Sequence, residues 1–268
     1  MKQISAWVGV VLLSALAWGA QAAPASEPWP MWQASQEQAS LRVDHSLWQD
    51  VLNRYLDDQH ASGINRFAYG QVHPQDVRQL DAYIRALTAI DPRQLSRAEQ
   101  KAYWINLYNA VTVQLMLKAW PVSSIRKLGA WYALGPWDDE VVVVAGQGLT
   151  LNDIEHRILR PIWQDARIHY AVNCASLGCP NLASQAFTAE NTERLLEQAA
   201  REFINHPRGV QWQQGRWQLS SIYDWYSVDF PDLAAHLAQY ADASLQALLK
   251  QHPLSDVRYD YEWAVNAP

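Results

Sequence analysis

The two cysteines are the side chains of this chain that could take part in the widest range of chemistry. Cys174 and Cys179 lie in the stretch HYAVNCASLGCPNL, with four residues between them, and nothing else in the 268 residues supplies a thiol. Four interpretations are open at this spacing: a local disulfide, a catalytic nucleophile, a redox pair and a metal site. The chemistry of the protein depends on which of them holds.

A local disulfide is favoured if the chain is exported, because oxidising compartments convert paired thiols to disulfides. Four intervening residues can close a ring of ordinary geometry, and Gly178 supplies flexibility at the turn. A loop this short stabilises a fold by about 2 kcal/mol, so its main effect is to hold the shape of the loop. The protein would then be a non-catalytic binding module.

A catalytic cysteine needs a base within hydrogen-bond distance and a group that orients the base. We expect Cys174 as the nucleophile and His156 as the base. Cys174 is preferred because small or polar residues flank it, whereas Cys179 adjoins a proline. The carboxylates considered for orienting His156 are Glu155 and Asp224 first, then Asp153 and Asp229. Such a site would be a hydrolase acting on an amide or peptide bond.

The remaining two interpretations fit the spacing less well. Redox pairs usually have two residues between the cysteines, and no βαβ pattern precedes this pair. Zinc sites have four ligands at recognisable spacing, whereas no two histidines here are separated by three to five residues. The sequence therefore predicts neither a metal nor a cofactor.

A helix apolar nearly all round is predicted for SRAEQKAYWINLYNAVTVQLMLKAW. A helix without a polar face is buried in the middle of a domain, so Asn106 and Asn109 are expected to be buried amides. Buried amides must find partners, and the simpler interpretation is that they bond neighbouring loops. The alternative is that one of them donates to an oxyanion in the active site.

A second candidate helix, LNDIEHRILRP, precedes the cysteine loop, and the pair Thr150 and Asp153 marks its start. Its periodicity places Glu155 at the edge of the apolar face and His156 on the polar side. Glu155 is expected to be paired, because an unpartnered buried carboxylate is costly.

Other elements follow from local patterns. Ser96 and Glu99 have the spacing of a capping box. The segment DEVVVVAGQGLTL predicts a hairpin with a Gly-Gln-Gly turn, GVQWQQGRWQLSSIYDWY a second hairpin, and DVRYDYEW a last strand. Helices are predicted over 45–58, 75–88, 189–205 and 231–251. Hairpins among many helices indicate an α+β fold with a central buried helix.

The N-terminus has a basic start, an apolar run over 4–18 and a small-x-small site. This pattern predicts a signal peptide, 1–22, with cleavage after Ala22 and a periplasmic or secreted product. The alternative, a membrane anchor, needs about 20 apolar residues, and this run is shorter. An extended leader, 23–38, rich in Pro, Ala and Ser, is expected next, followed by a single α+β domain, 39–268.

The composition of the chain limits the classes of molecule that it is expected to bind. The net charge is −6, and no run of Lys or Arg forms a basic stripe, which argues against nucleic acid. No second apolar stretch is long enough to span a bilayer. The 14 tryptophans provide aromatic surface that can stack on a ligand. The expected partner is a peptide, a glycan or an envelope protein.

Four ordered motifs resemble the bacterial members of the family catalogued as domain of unknown function 547. They are AYWINLYNAVTV, LNDIEHRILRP, RIHYAVNCASLGCPNL and IYDWYSVDF, and the resemblance covers about 75–235. It implies no activity, since the family is named for the lack of one. It does place six residues in the motifs of the family: Asn106, Asn109, Glu155, His156, Cys174 and Cys179.

Overall fold

The structure, a computed structural model, describes residues 24–129 and 134–268. The predicted signal peptide, 1–22, lies outside this part of the chain. In the described residues, no helix has both the length and the apolar character needed to cross a membrane.

Helices surround short strands, and the predicted α+β class is confirmed. The α-helices are α1 (Ser46–Tyr55), α2 (Pro74–Thr88), α3 (Arg97–Ala119), α4 (Arg160–Trp163), α5 (Thr192–Ile204), α6 (Ile222–Trp225), α7 (Leu233–Tyr240) and α8 (Ala243–Gln251). The strands are β1 (Leu56–Asp57), β2 (Arg66–Phe67), β3 (Val142–Val144), β4 (Gln147–Leu149), β5 (Val210–Gln213), β6 (Arg216–Ser220) and β7 (Arg258–Asp260). A π-helical stretch, Asp153–Leu159, runs directly into α4.

Helix α3 is the predicted central helix. Most of its side chains are buried on every side, as expected for a helix without a polar face. The Ser96 hydroxyl caps it by accepting from the backbone N–H of Glu99 at 3.4 Å. The second half of the predicted capping box does not form, because the Glu99 carboxylate instead accepts from the backbone N–H of Val43 at 2.7 Å.

The strands form small separate sheets. Both predicted hairpins are present, as β3–β4 and β5–β6. The first hairpin turns at Ala145 and Gly146, both with positive φ, rather than at the predicted Gly-Gln-Gly, because Gln147 already pairs in β4. Strand β7 is the predicted last strand, and it pairs with β6 in parallel.

Two hydrophobic clusters meet in the segment that leads to the cysteines. One cluster is built around α1, α2 and α3, and the other around α5, α7 and the β5–β6 hairpin. Ile168 and Ala171 pack in the first cluster, while Tyr170 between them packs in the second. Cys174 therefore follows a segment that both clusters hold.

The segment predicted as an extended leader packs on the domain. Trp32 is only 1% exposed, and its ring meets the edge of Trp104 with centroids 5.2 Å apart. The backbone N–H of Trp29 donates to the carbonyl of Arg157 at 3.0 Å. Because a buried tryptophan contributes a large apolar area, the packed unit begins before residue 39.

Candidate functional site

The backbone of the cysteine loop, residues 171–181, is held by two asparagine side chains. Asn109 of α3 donates to the carbonyl of Ala171 at 2.9 Å and accepts from the N–H of Asn173 at 2.8 Å. Asn173 in turn donates to the carbonyl of Pro180 at 2.7 Å and accepts from the N–H of Ala175 at 2.9 Å. This relay of amides fixes the loop to the central helix.

The C-terminal segment lies against the other side of the loop. Gly178 donates its N–H to the carbonyl of Glu262 at 2.8 Å, and Leu177 donates to Ala264 at 2.8 Å. A Cβ on Gly178 would lie 2.7 Å from the backbone nitrogen of Glu262, so this approach requires glycine. The contact brings Tyr261 next to Cys174.

The Cys174 sulfur has two hydroxyls as neighbours. Its Sγ lies 3.0 Å from Tyr261 Oη and 3.2 Å from Ser176 Oγ. The backbone N–H of Cys174 donates to Cys179 Sγ at 2.9 Å. Both cysteines are free thiols, of which Cys174 is half-buried and Cys179 is buried. The pair is thus in near contact without a covalent bond.

The pKa of the Cys174 thiol lies below its ordinary value. The largest cause is its hydrogen bond with the Cys179 thiol, and the hydroxyls of Ser176 and Tyr261 act in the same direction. Burial and the charge of Glu155 oppose the shift without reversing it. Burial raises the pKa of Cys179 well above its ordinary value. Of the two thiols, Cys174 is therefore the one that loses its proton more readily.

The π-helical stretch positions Glu155 and His156 differently from the sequence prediction. His156 is 2% exposed and Glu155 4% exposed, so both point inward. The prediction that His156 lies on the polar side is wrong. A π-turn holds one residue more than the α-turn on which the predicted face was based, so neighbouring side chains are redistributed around the axis. The pair Thr150 and Asp153 does cap the start, with Asp153 accepting from the Thr150 N–H at 3.0 Å.

A buried ionic cluster joins this helix to the segment before the cysteines. Glu155 Oε1 lies 3.5 Å from His169 Nδ1, and His169 Nε2 lies 2.7 Å from Asp229 Oδ2. Arg160 donates to Asp229 at 2.6 Å and to His156 Nδ1 at 3.0 Å. Glu155 is therefore paired, as the sequence analysis expects.

The charges of this ionic cluster balance. Burial lowers the pKa of His156 to about 4, so it is neutral near pH 7. Burial also disfavours the charged form of His169, but hydrogen bonds to Asp229 and Glu155 outweigh it and raise the pKa of His169. Burial opposes ionisation of Glu155 and Asp229, yet the neighbouring cationic side chains hold the pKa of each at about 2. Two anions thus face His169 and Arg160.

His156 makes no hydrogen bond with the thiols. Its Nδ1 accepts from Arg160, and among the described residues no hydrogen bond joins a histidine to either sulfur. His156 also lines a cavity of about 360 Å³ beneath the N-terminal segment, and neither cysteine lines that cavity. The predicted hydrogen bond between His156 and Cys174 is therefore not among those that the described residues make.

The other residues predicted for the site lie in different surroundings. Asp224 is exposed on α6 and bonds no histidine among the described residues, whereas Asp229 lies in the ionic cluster. Asn106 donates to the carbonyl of Phe187 at 2.7 Å and accepts from its N–H at 3.0 Å. Asn106 and Asn109 therefore bond neighbouring loops, as the simpler interpretation predicts.

Half-buried aromatic rings border Cys174. This aromatic patch consists of Trp137, Trp225, Tyr261 and Trp263. Tyr261 lies 4.9 Å from Trp225 and 4.6 Å from Trp263, and Trp137 meets Trp263 at 5.8 Å, measured between ring centroids. The guanidinium of Arg126 lies 5.1 Å from the centroid of the Trp263 ring. The patch offers flat apolar surface with a cation at Trp263, and it reaches the thiol through Tyr261.

Four of the residues that complete the site were not assigned to it from the sequence. Tyr261, Ser176, His169 and Arg160 contact site residues, and Tyr261 is 87 positions from Cys174. No local spacing signals a contact over that separation. In the described part of the chain, no group of three or more His, Cys, Asp or Glu side chains is arranged to hold a metal ion.

We expect Asn109→Asp to destabilise the protein by about 1–3 kcal/mol, because an oxygen would then face the Ala171 carbonyl without a proton between them. Urea unfolding followed by circular dichroism measures the change. The exposed Asn53→Asp on α1 is the matched control and should change stability by less than about 0.5 kcal/mol. Unchanged stability together with lost activity would instead indicate an oxyanion donor.

Comparison with known proteins identifies one family. Residues 92–204 match the family described as "Protein of unknown function, DUF547", which confirms the resemblance seen in the motifs. The matched region contains α3, the π-helical stretch and the cysteine loop. Neither the curated proteins nor the solved structures gave a match.

Proposed function

Because residues 92–204 belong to a family of unassigned activity, we propose a function from the site itself: an exported, thiol-dependent hydrolase of amide or peptide bonds in the cell envelope. Cys174 is its nucleophile. The observation that carries the proposal is the environment of Cys174 Sγ. Cys174 is a half-buried residue, and its sulfur has hydroxyl neighbours at 3.0 and 3.2 Å, which together with the Cys179 thiol lower its pKa. An accessible thiol with a lowered pKa is the reactive form of cysteine.

The reaction follows from this environment. The Cys174 thiolate attacks the carbonyl carbon, a carbon–sulfur bond forms, and negative charge moves to the carbonyl oxygen. The hydroxyls of Tyr261 and Ser176 are the donors beside that oxygen, in the role first considered for Asn106 and Asn109. The carbon–nitrogen bond then breaks, and the amine leaves with a proton from water. A second water hydrolyses the thioester and frees Cys174.

The aromatic patch favours a peptide or glycan substrate. Tyr261 contacts Cys174, and Trp225 and Trp263 pack against Tyr261, so a bound chain would stack on these rings while its scissile bond reaches the sulfur. Arg126 makes no ion pair with any described residue, and its charge suits a carboxylate on the substrate. A chain that can stack on aromatic rings and a carboxylate that can pair with Arg126 are both common in envelope peptides and glycans.

An activated ester tests the proposal. Purified mature protein mixed with p-nitrophenyl acetate should release a burst of nitrophenol, and intact mass followed by peptide mapping should place one acetyl group on Cys174. We expect Cys174→Ala to lose the burst. Cys179→Ala should still give the acetyl-enzyme, but more slowly near neutral pH, because the Cys179 thiol is the largest cause of the lowered Cys174 pKa. Tyr261→Phe should slow acylation by about 100-fold, the usual cost of one oxyanion donor.

Two other results would overturn this function. An acetyl group on a different residue, or a burst that persists in Cys174→Ala, would remove Cys174 as the nucleophile. No acylation by any activated ester would favour the binding module, with the aromatic patch as its contact surface. Export is checked separately: the periplasmic protein should have Ala23 as its first residue.

A further inference from the structure

We propose that Cys174 and Cys179 also form a thiol–disulfide exchange pair, in which Cys174 attacks an external disulfide and Cys179 resolves the mixed disulfide. The oxidant is a small-molecule or peptide disulfide. This activity goes beyond the hydrolase proposal and does not depend on it, so either can fail alone. It would also control the hydrolase, since a Cys174 sulfur bound to Cys179 cannot attack a carbonyl.

Proximity is the first support. Cys179 Sγ accepts a hydrogen bond from the backbone N–H of Cys174 at 2.9 Å, so the two cysteines are in near contact. The resolving sulfur is therefore already beside the residue that would carry the mixed disulfide. No opening of the fold is needed to bring the two together.

The loop that carries the sulfurs is already shaped for ring closure. Asn173 bridges it from the N–H of Ala175 to the carbonyl of Pro180, and the N–H of Cys179 donates to the carbonyl of Ser176 at 3.2 Å. Ala175 has a φ of +59°, a left-handed conformation that is unfavourable for alanine and is maintained by these contacts. Since the loop is ordered as a dithiol, closing the ring costs little further conformational entropy.

The two sulfurs differ in the way that exchange requires. Cys174 is a half-buried residue, whereas Cys179 is only 4% exposed. An external disulfide should therefore react first at Cys174. Rates of exchange depend on access and on the thiolate character of the attacking sulfur, and both favour Cys174.

The exchange balances as follows. The Cys174 thiolate attacks one sulfur of RSSR, so that a Cys174–SR bond forms and RS⁻ leaves and takes a proton. Cys179 loses its proton and attacks Cys174 Sγ, so that the Cys174–Cys179 bond forms and a second RS⁻ leaves and is protonated. The protein dithiol is oxidised, and RSSR is reduced to two RSH. A thiol in excess reverses both steps.

Oxidised glutathione tests the proposal on the reduced mature protein. Samples are quenched with acid, and the intact mass of the protein is measured by mass spectrometry. The wild type should end as an internal disulfide without a glutathione adduct. Cys179→Ser should accumulate one glutathione on Cys174, and Cys174→Ser, in which only buried Cys179 remains, should react at least about tenfold more slowly. Circular dichroism verifies that both variants fold.

Several results would overturn it: a wild type that stays reduced, a wild type that ends with two glutathiones, or equal rates in the two variants. An internal disulfide that excess reduced glutathione cannot open in the folded protein would also do so, because it would be a structural staple. The p-nitrophenyl acetate burst, measured on the reduced proteins before glutathione is added, separates the two proposals. A wild type that forms the internal disulfide with oxidised glutathione but never gives an acyl-enzyme in its reduced form would remove the hydrolase and keep the exchange pair.

Discussion

At pH 6, iodoacetamide should alkylate Cys174 about 100-fold or more faster than Cys179 in the folded protein. Hydrogen bonds from Cys179, Ser176 and Tyr261 lower the pKa of Cys174, while burial raises the pKa of Cys179 well above its ordinary value. Each unit of pKa changes the thiolate fraction about tenfold at a pH below both values, and the burial of Cys179 adds to the difference. Peptide mapping of timed samples gives both rates.

The pH dependence has a definite sign. The alkylation rate of Cys174 should rise with pH and reach half its maximum below about 8.5, the ordinary thiol pKa. Tyr261→Phe and Ser176→Ala each remove a donor from the thiolate, so each should move that midpoint upward. In guanidinium, the two cysteines of the wild type should react alike. A midpoint at or above about 8.5 in the folded wild type, or earlier labelling of Cys179, would contradict an activated Cys174.

The largest loss of stability should come from Arg160→Met, at about 3–5 kcal/mol. The Arg160 side chain is 2% exposed and bonds Asp229, His156 Nδ1 and the carbonyl of Pro24. Removing it leaves two carboxylates in the ionic cluster with His169 as their one remaining cation among the described residues. Breaking a buried pair on one side is costly for this reason. Urea unfolding at pH 7 measures the change.

Arg201→Met on α5 is the matched control. Arg201 also pairs with a carboxylate, Glu197 at 2.7 Å, but its side chain is 52% exposed. Exposed pairs contribute about 0–1 kcal/mol, so this variant should change stability by less than that. Equal effects in the two variants would show that the ionic cluster does not hold the π-helical stretch in place.

The ionic cluster should also make the free energy of unfolding fall at low pH. The pKa of Asp229 is held at about 2, below its value of about 4 in the unfolded chain. Its contribution to stability is present above about pH 4 and is lost as pH falls towards 2. The pKa of His156 is lowered to about 4, so its contribution is lost earlier, from about pH 6.5 to 4. The free energy of unfolding should therefore decline in two stages on acidification.

Local patterns in the sequence were enough to predict the frame of this protein. The absence of a polar face along α3 predicted a central buried helix, and with it the burial of Asn106 and Asn109. Both amides bond loops, because a buried amide must find partners wherever the chain passes it. The sequence also placed Cys174 and Cys179 in one short loop, although it left their chemistry open. All of these depend on residues close along the chain.

The tertiary structure alone decided which groups meet the thiol. Tyr261 reaches Cys174 because the C-terminal segment lies against Gly178, a contact between segments that no local period encodes. The π-helical stretch turned His156 inward to Arg160, so the base predicted from an α-helical wheel faces another partner. The local sequence determines which side chains a segment can bury. The packing of the two hydrophobic clusters determines which distant segments those side chains contact.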